Sequence, residues 1–205
     1  MPKRIVHVAV FDLKAPLIYP FRIASGRHDS LENVLLRIEC EGGVTGFGEA
    51  AVATHITGET VAQTKANLQK VASQLIGKDI AQYASISDAV SKKLKNNKSA
   101  LTAVEMALLD AYTQSRGLPL WKYFGKTLNR VVTDVTIVIG DLAQAKRAAH
   151  TFYKSGFRTF KIKIGKDLEL DIQRVAAVAE IAPSAKIILD ANQALSAHEA
   201  LFFFE

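Results

Sequence analysis

The chain has 205 residues, 49% hydrophobic and 22% charged, enough to bury a core in one or two domains. Its single cysteine, Cys40, excludes an internal disulfide and fits a reducing compartment. The net charge of +6, with a pI near 9.4, is spread out; only Lys92, Lys93, Lys95 and Lys98 cluster, beside Asn96 and Asn97, so a solvated helix end is expected and nucleic acid is not a partner.

No run approaches the ~20 apolar residues of a membrane span. Met1-Pro2-Lys3-Arg4-Ile5 is not followed by an apolar region with a small-residue cleavage site, so a soluble cytoplasmic protein is expected, with no membrane partner. Arg4 to Leu13 reads as a strand, after which Pro16 and Pro20 break regularity. Phe21 to Ser30 reads as a loop in which Arg22, Arg27 and His28 are candidates for contact. Asn33 to Cys40 is a second strand with Val34, Leu36 and Ile38 on one face, Glu41-Gly42-Gly43 a turn, and Val44 to Glu49 a third strand, giving an antiparallel meander.

Ala51 to Gly58 reads as a second loop; its His55 has no His, Cys or carboxylate at ligand spacing. Thr57 or Gly58 would cap a helix with Val61, Leu68 and Leu75 inward, closed by Gly77. A shorter helix starts near Ser85 or Ser87 and carries Val90 and Leu94. Ser99 caps a third, with Leu101, Val104, Leu108 and Tyr112 inward, ended by Gly117; Pro119 and Gly125 bracket one more helical turn.

After Gly125 the pattern alternates. Val132 to Ile139 is a β-branched strand, Asp141 caps a helix closed by Gly156, and Arg158 to Ile164 is a strand. Asp167 opens a helix with Leu170, Val175, Val178 and Ile181 inward, Lys186 to Asp190 is a strand, and Ser196 or Ala197 starts a helix that runs to Glu205. This spacing means right-handed βαβ units and a parallel sheet. A sheet of three such strands has an open edge, which a partner chain, further strands or a longer parent would close.

Alternation along Thr159–Ile164 puts Lys161 and Lys163 on one face, opposite Phe160, Ile162 and Ile164, while the next strand ends in Asp190. Two desolvated ammonium groups side by side lose basicity, so one lysine could accept a proton near neutral pH while the other supplies positive charge. Asp190 is a hard oxygen ligand suited to Mg²⁺, and a divalent ion chelating a carboxylate would stabilise the enediolate left when its α-proton is removed. The bland reading is a Lys–Asp pair that only fixes the fold, but two lysines per carboxylate leave a charge without a partner.

Lys161-Ile162-Lys163 resembles the Lys-x-Lys motif of the enolase superfamily, in its muconate-cycloisomerase-like branch, and Asp190-Ala191-Asn192 resembles that branch's Asp-x-Asn. Gly46-Phe47-Gly48-Glu49-Ala50 and Ala103-Val104-Glu105-Met106-Ala107-Leu108-Leu109-Asp110 resemble its capping-domain motifs. Pro20-Phe21-Arg22 and Thr133-Asp134-Val135-Thr136-Ile137 look like those of dipeptide epimerases. The resemblance implies an α/β chain: an α+β capping domain over residues 1–125, a three-stranded antiparallel meander plus helices, then over 126–205 the first βα units of a (β/α)7β TIM-like barrel. Capping loops would close over the barrel mouth.

It further implies Lys163 as the base on one face of a substrate α-carbon and Lys161 as the contact to the substrate carboxylate, which depresses the pKa of Lys163. Asp190 would be the first Mg²⁺ ligand, and Thr136, with Arg22 and Arg27, would bind substrate. The substrate would be a dipeptide or related carboxylate, and the full-length form a homo-oligomer.

Two further carboxylate ligands, a second lysine for the opposite face and an acidic pair for a dipeptide amino group are expected in such enzymes on later strands, which this sequence lacks. Glu205, at the end of a helix, does not replace them. The resemblance therefore implies a truncated form, inactive by itself. Members acting on Ala-Glu carry an arginine where ungapped alignment puts Gly26, with Arg27 beside it, so neutral or hydrophobic dipeptides are expected. Rival readings are muconate cycloisomerase, o-succinylbenzoate synthase, and a non-catalytic remnant acting as a binding or assembly module.

Overall fold

A computed structural model describes residues 3–23, 26–125 and 130–203. The chain divides into two units, residues 1–16 with 30–128, and residues 17–29 with 129–205.

An antiparallel sheet has the order β1 (Ile5–Ile23), β2 (Gly26–Cys40), β3 (Thr45–Ala50), of which residues 5–16 and 30–50 belong to the first unit. Val34 pairs with Ala50 and, at the far end, Glu39 with Thr45. Alternation buries Val34, Leu36, Ile38 and Cys40 against the helices. Two sequence expectations fail here. Pro16 and Pro20 do not end β1, because β1 is an edge strand where a missing N–H costs no ladder bond. The expected loop from Phe21 to Ser30 is instead strand where it is described, β1 running to Ile23 and β2 starting at Gly26. The Glu41–Gly43 turn is one turn of 3-10 helix in which Gly42 and Gly43 take φ of 76° and 79°.

The stretch 51–58 also departs from a plain loop: α1 (Thr54–Thr57) is closed by left-handed Gly58. Thr60, not Thr57 or Gly58, caps α2 (Val61–Leu75), its side chain accepting from the Gln63 N–H. Asp79 starts a 3-10 turn at Ile80–Gln82 that runs straight into α3 (Tyr83–Lys93), which therefore begins before Ser85. The third long helix, α4 (Lys98–Ser115), starts one residue before Ser99. Asn97 occupies its cap position but gives no side-chain cap; the buried Glu59 carboxylate accepts from the Lys98 N–H at 2.6 Å and the Ser99 N–H at 3.1 Å. The short α5 (Leu120–Tyr123) follows Pro119.

β3 lies directly on α4. A Cβ on Gly46 would come within 2.1 Å of the Ala107 carbonyl oxygen, and one on Gly48 within 1.8 Å of that of Ala103. Glycine at both positions is what lets strand and helix backbones touch.

In the second unit β4 (Val135–Ile137), α6 (Leu142–Lys154), β5 (Thr159–Lys163), α7 (Leu168–Ile181), β6 (Lys186–Asp190) and α8 (Ala197–Leu201) alternate. The strands are parallel, in the order β4-β5-β6. Asp141, Asp167 and Ser196 cap the three helices, the first and last in reciprocal capping boxes with Gln144 and Glu199. Phe160, Ile162 and Ile164 are buried with Ala145, Ala149 and Val178. β4 is shorter than the expected 132–139: its described pairing is to β5 only, and Val132 is 80% exposed. α8 stops at Leu201 and the end expected at Glu205 lies outside the described residues. Among the described residues no helix is long and apolar enough to cross a membrane.

Candidate active site

In the parallel register Lys161 sits between Thr136 and Ile188, and Lys163 beside Asp190. Since side chains alternate, these residues share the sheet face opposite the core residues Phe160 and Ile162. The two amines converge on one oxygen. Asp190 Oδ2 lies 2.7 Å from Lys163 Nζ and 2.9 Å from Lys161 Nζ. Lys163 also donates to Asn192 Oδ1 at 2.8 Å, and Asp190 Oδ1 accepts from the Asn192 N–H at 3.0 Å. The Phe21 ring centroid stands 5.9 Å from Lys163 Nζ.

The lysines are not equivalent. The Lys163 side chain is 7% exposed and that of Lys161 34%. The expectation that both ammonium groups are desolvated and lose basicity fails for Lys161: its hydrogen bond to Asp190, and the carboxylate's charge, push its pKa up. The Lys163 and Lys161 ammonium groups bonded to Asp190 hold its carboxyl well below the usual carboxylate range, against the opposing pull of partial burial. A shared carboxylate, not the like charge of the neighbouring amine, decides the basicity of Lys161.

Past the strand, Asn192 and Gln193 both take left-handed φ, 48° and 67°. Such conformations cost about 1–3 kcal/mol each off glycine and cluster at functional sites. Asn192, which holds Lys163, was legible only as part of the Asp190-Ala191-Asn192 triplet. The following turns interlock: a Cβ on Gly165, after β5, would meet the Ala194 Cβ at 2.6 Å and the Ala191 carbonyl oxygen at 3.2 Å.

Arg22 lines a cavity of about 550 Å³ with Phe21 and Thr136. Arg22 and Arg27 together line a cavity of about 690 Å³ with Gly26, Asp141, Lys166 and Asp167. There Arg27 pairs with Asp29, at 2.7 Å from both Nε and Nη2. Arg22 accepts through its backbone oxygen from the Ile139 N–H at 3.3 Å.

As a magnesium ligand Asp190 has the right donor type, a hard oxygen at a strand end. The described residues do not complete a site: they contain no group of three or more His, Cys, Asp or Glu side chains able to hold a metal. Both Asp190 oxygens already accept from amine or amide donors. Among the described residues, Asp190 is thus the carboxylate at this site that could face Mg²⁺.

Beneath the site, on α7, lies a buried ion pair absent from the sequence expectations. Arg174 is 0% exposed and bonds Asp171 at 2.6 Å.

Residues 5–125 match the family of mandelate racemase/muconate lactonizing enzyme N-terminal domains, and residues 143–205 match enolase C-terminal domain-like sequences. The chain belongs to the mandelate racemase/muconate lactonizing enzyme family. Among relatives in this family, it is 47% identical over 198 residues to a hydrophobic dipeptide epimerase of Citrifermentans bemidjiense, covering 94% of this chain and 54% of that protein. It superposes on the Enterococcus faecalis dipeptide epimerase complexed with Mg and L-Leu-L-Tyr with a TM-score of 0.91 at 33% identity, covering 98% of this chain and 57% of that one. The substrate-liganded L-Ala-D/L-Glu epimerase of Bacillus subtilis gives a TM-score of 0.91 at 32% identity, covering 98% and 56%. The chain spans about half the length of the relatives it matches. The capping-domain and partial-barrel architecture expected from the family resemblance is thereby confirmed.

Proposed function

We propose that this chain supplies the proton-abstracting part of a dipeptide epimerase acting on neutral or hydrophobic dipeptides. The observation that carries the reading is the convergence of Lys161 and Lys163 on Asp190 at the ends of adjacent parallel strands. The name of the C. bemidjiense relative and the absence of an arginine at Gly26 support the substrate class.

In this reading Lys163, as the neutral amine, takes the α-proton onto Nζ and becomes an ammonium. Asn192 and Asp190 hold it in line. Lys161, half-solvated and with raised basicity, stays charged and meets the substrate carboxylate. Thr136, next to Lys161 in the sheet, contacts the substrate backbone. Asp190 would be one of the ligands of Mg²⁺, which when bound would offset negative charge developing on the substrate carboxylate. The remaining ligands and the group that returns a proton to the opposite face would come from outside residues 1–205. The 205-residue chain alone is then inactive, and the working enzyme is cytoplasmic.

Incorporation of deuterium at Cα from D₂O, followed by NMR over a dipeptide library, tests this. The protein at its encoded length should exchange Leu-, Tyr- and Val-containing dipeptides in the presence of Mg²⁺, and the 205-residue chain should not. A preference for Ala-Glu would overturn the substrate class; undiminished exchange in Lys163→Met would overturn the chemistry.

A further inference from the structure

Arg174 is the largest fully buried side chain described, and Asp171, its partner at 2.6 Å, is 2% exposed. Burying two charges is costly, and apolar side chains of similar volume often serve a core equally well. The bonds they make indicate what the pair does. Arg174 Nη1 donates to the Lys163 backbone oxygen at 3.0 Å and Nη2 to that of Val138 at 2.7 Å. Asp171 Oδ2 accepts from the Gly165 and Lys166 N–H groups at 2.7 and 3.3 Å. All four backbone groups lie at the carboxyl ends of β4 and β5, at or just past the last paired residues, Ile137 and Lys163. Arg174 Nε, also buried, has no partner, so the side chain keeps this fork at the expense of a full set of bonds.

We propose that Arg174, held by Asp171, is a positioning residue that fixes the backbone of Lys163 against β4 and so aims its amine; the proposal rests on the proton-abstraction reading above. A planar guanidinium spans two carbonyls at one fixed separation, which a lysine at the same position cannot do. Lys163 Nζ reaches Asp190 and Asn192 from a main chain clamped at its own carbonyl, while the Asp171 carboxylate pins the turn that follows. Misplacing a reacting group by about 1 Å costs ~10²-fold in rate. The clamp acts on the base without touching substrate.

The test is Arg174→Lys in the protein at its encoded length, read by α-deuterium exchange and by the ¹³C-dimethyl resonance of Lys163 after reductive methylation, assigned with Lys163→Arg. The expected result is a fall in kcat of about 10–100-fold with KM within about twofold, and a Lys163 line that broadens or splits. A folded Arg174→Lys with wild-type kcat, or one whose kcat falls only in proportion to its folded fraction, overturns the proposal. If Arg174→Lys does not fold, Asp171→Asn carries the same readouts, since it keeps an oxygen acceptor for the Gly165 N–H but releases the guanidinium. If the wild type exchanges no dipeptide, the epimerase reading fails by itself, and the Lys163 resonance still decides the clamp: an unchanged line in either variant overturns it.

Discussion

Gly48→Ala should detach β3 from α4. The added Cβ would lie 1.8 Å from the Ala103 carbonyl oxygen, 2.7 Å from the Ala103 carbonyl carbon and 2.9 Å from the Ala107 nitrogen. Ordinary contact needs ~3.5 Å or more, so strand and helix must part by well over an ångström, and every clashing atom is backbone that no rotamer can clear. Behind that contact sit Ala103, Val104, Ala107 and Leu108, all at most 1% exposed. Overpacking a core costs about 1–3 kcal/mol and occasionally more; a backbone clash belongs at the top of that range. Against it stands the loss of unfolded-state freedom on replacing glycine, worth about 0.4–1 kcal/mol. The clash wins, leaving a net loss of about 2–3 kcal/mol. Urea denaturation should show a lower midpoint at unchanged slope. Gly77→Ala serves as a control: there φ is 79° with nothing within 4 Å, so strain alone acts and the loss should stay near 1 kcal/mol. A Gly48→Ala protein within ~0.5 kcal/mol of wild type would refute the reasoning that backbone contact requires this glycine.

Glu59→Gln should cost about 1–2 kcal/mol in the same melts, because the buried carboxylate that caps the Lys98 and Ser99 N–H groups loses its charge at the start of α4. Phe160→Ala, at a fully buried site, should cost about 3–5 kcal/mol; a loss below ~1 kcal/mol would mean that the β5 core face is not packed as described. Asp190 has a depressed folded pKa, so its stabilisation is fully present above the unfolded value of about 3.9 and fades as pH falls below it. Melts in EDTA at pH 5 and pH 3 should therefore converge for wild type and Asp190→Asn on acidification. Lys161 reports the same contact from the other side: with a raised folded pKa, its share is full below about 10.4 and is lost as pH rises through the folded value. Divergence toward acid pH would contradict the sign for Asp190; for Lys161, wild type and Lys161→Met should converge only as pH rises past about 10.4.

Much of the second unit was legible because its helices carry explicit start signals. Asp141, Asp167 and Ser196 all cap as expected, and Lys186–Asp190 is the strand that alternation gives. The Lys161–Lys163–Asp190 cluster was legible too, since period-2 alternation and a shared register are enough to bring the three together. What escaped were features decided by tertiary partners. Pro16 and Pro20 look like breakers until the strand is known to lie at an edge. Ser99 looks like a cap until Glu59, distant in sequence, takes that role. Asp171 and Arg174 entered no sequence expectation, although their spacing to Val178 puts them on the buried stripe of α7. The unequal solvation of Lys161 and Lys163 has no sequence signal, since both stand on the same face of one strand.

The stacking of Gly165 on Ala191 and Ala194 makes the two connections behind the amines and the carboxylate a single mechanical part. Neither can be lengthened, re-aimed or given a bulkier residue unless the other moves with it, and a shift in either is felt at Lys163 and Asp190 together. Anyone grafting new loops onto this scaffold to reshape what it accepts would have to exchange both as one cassette.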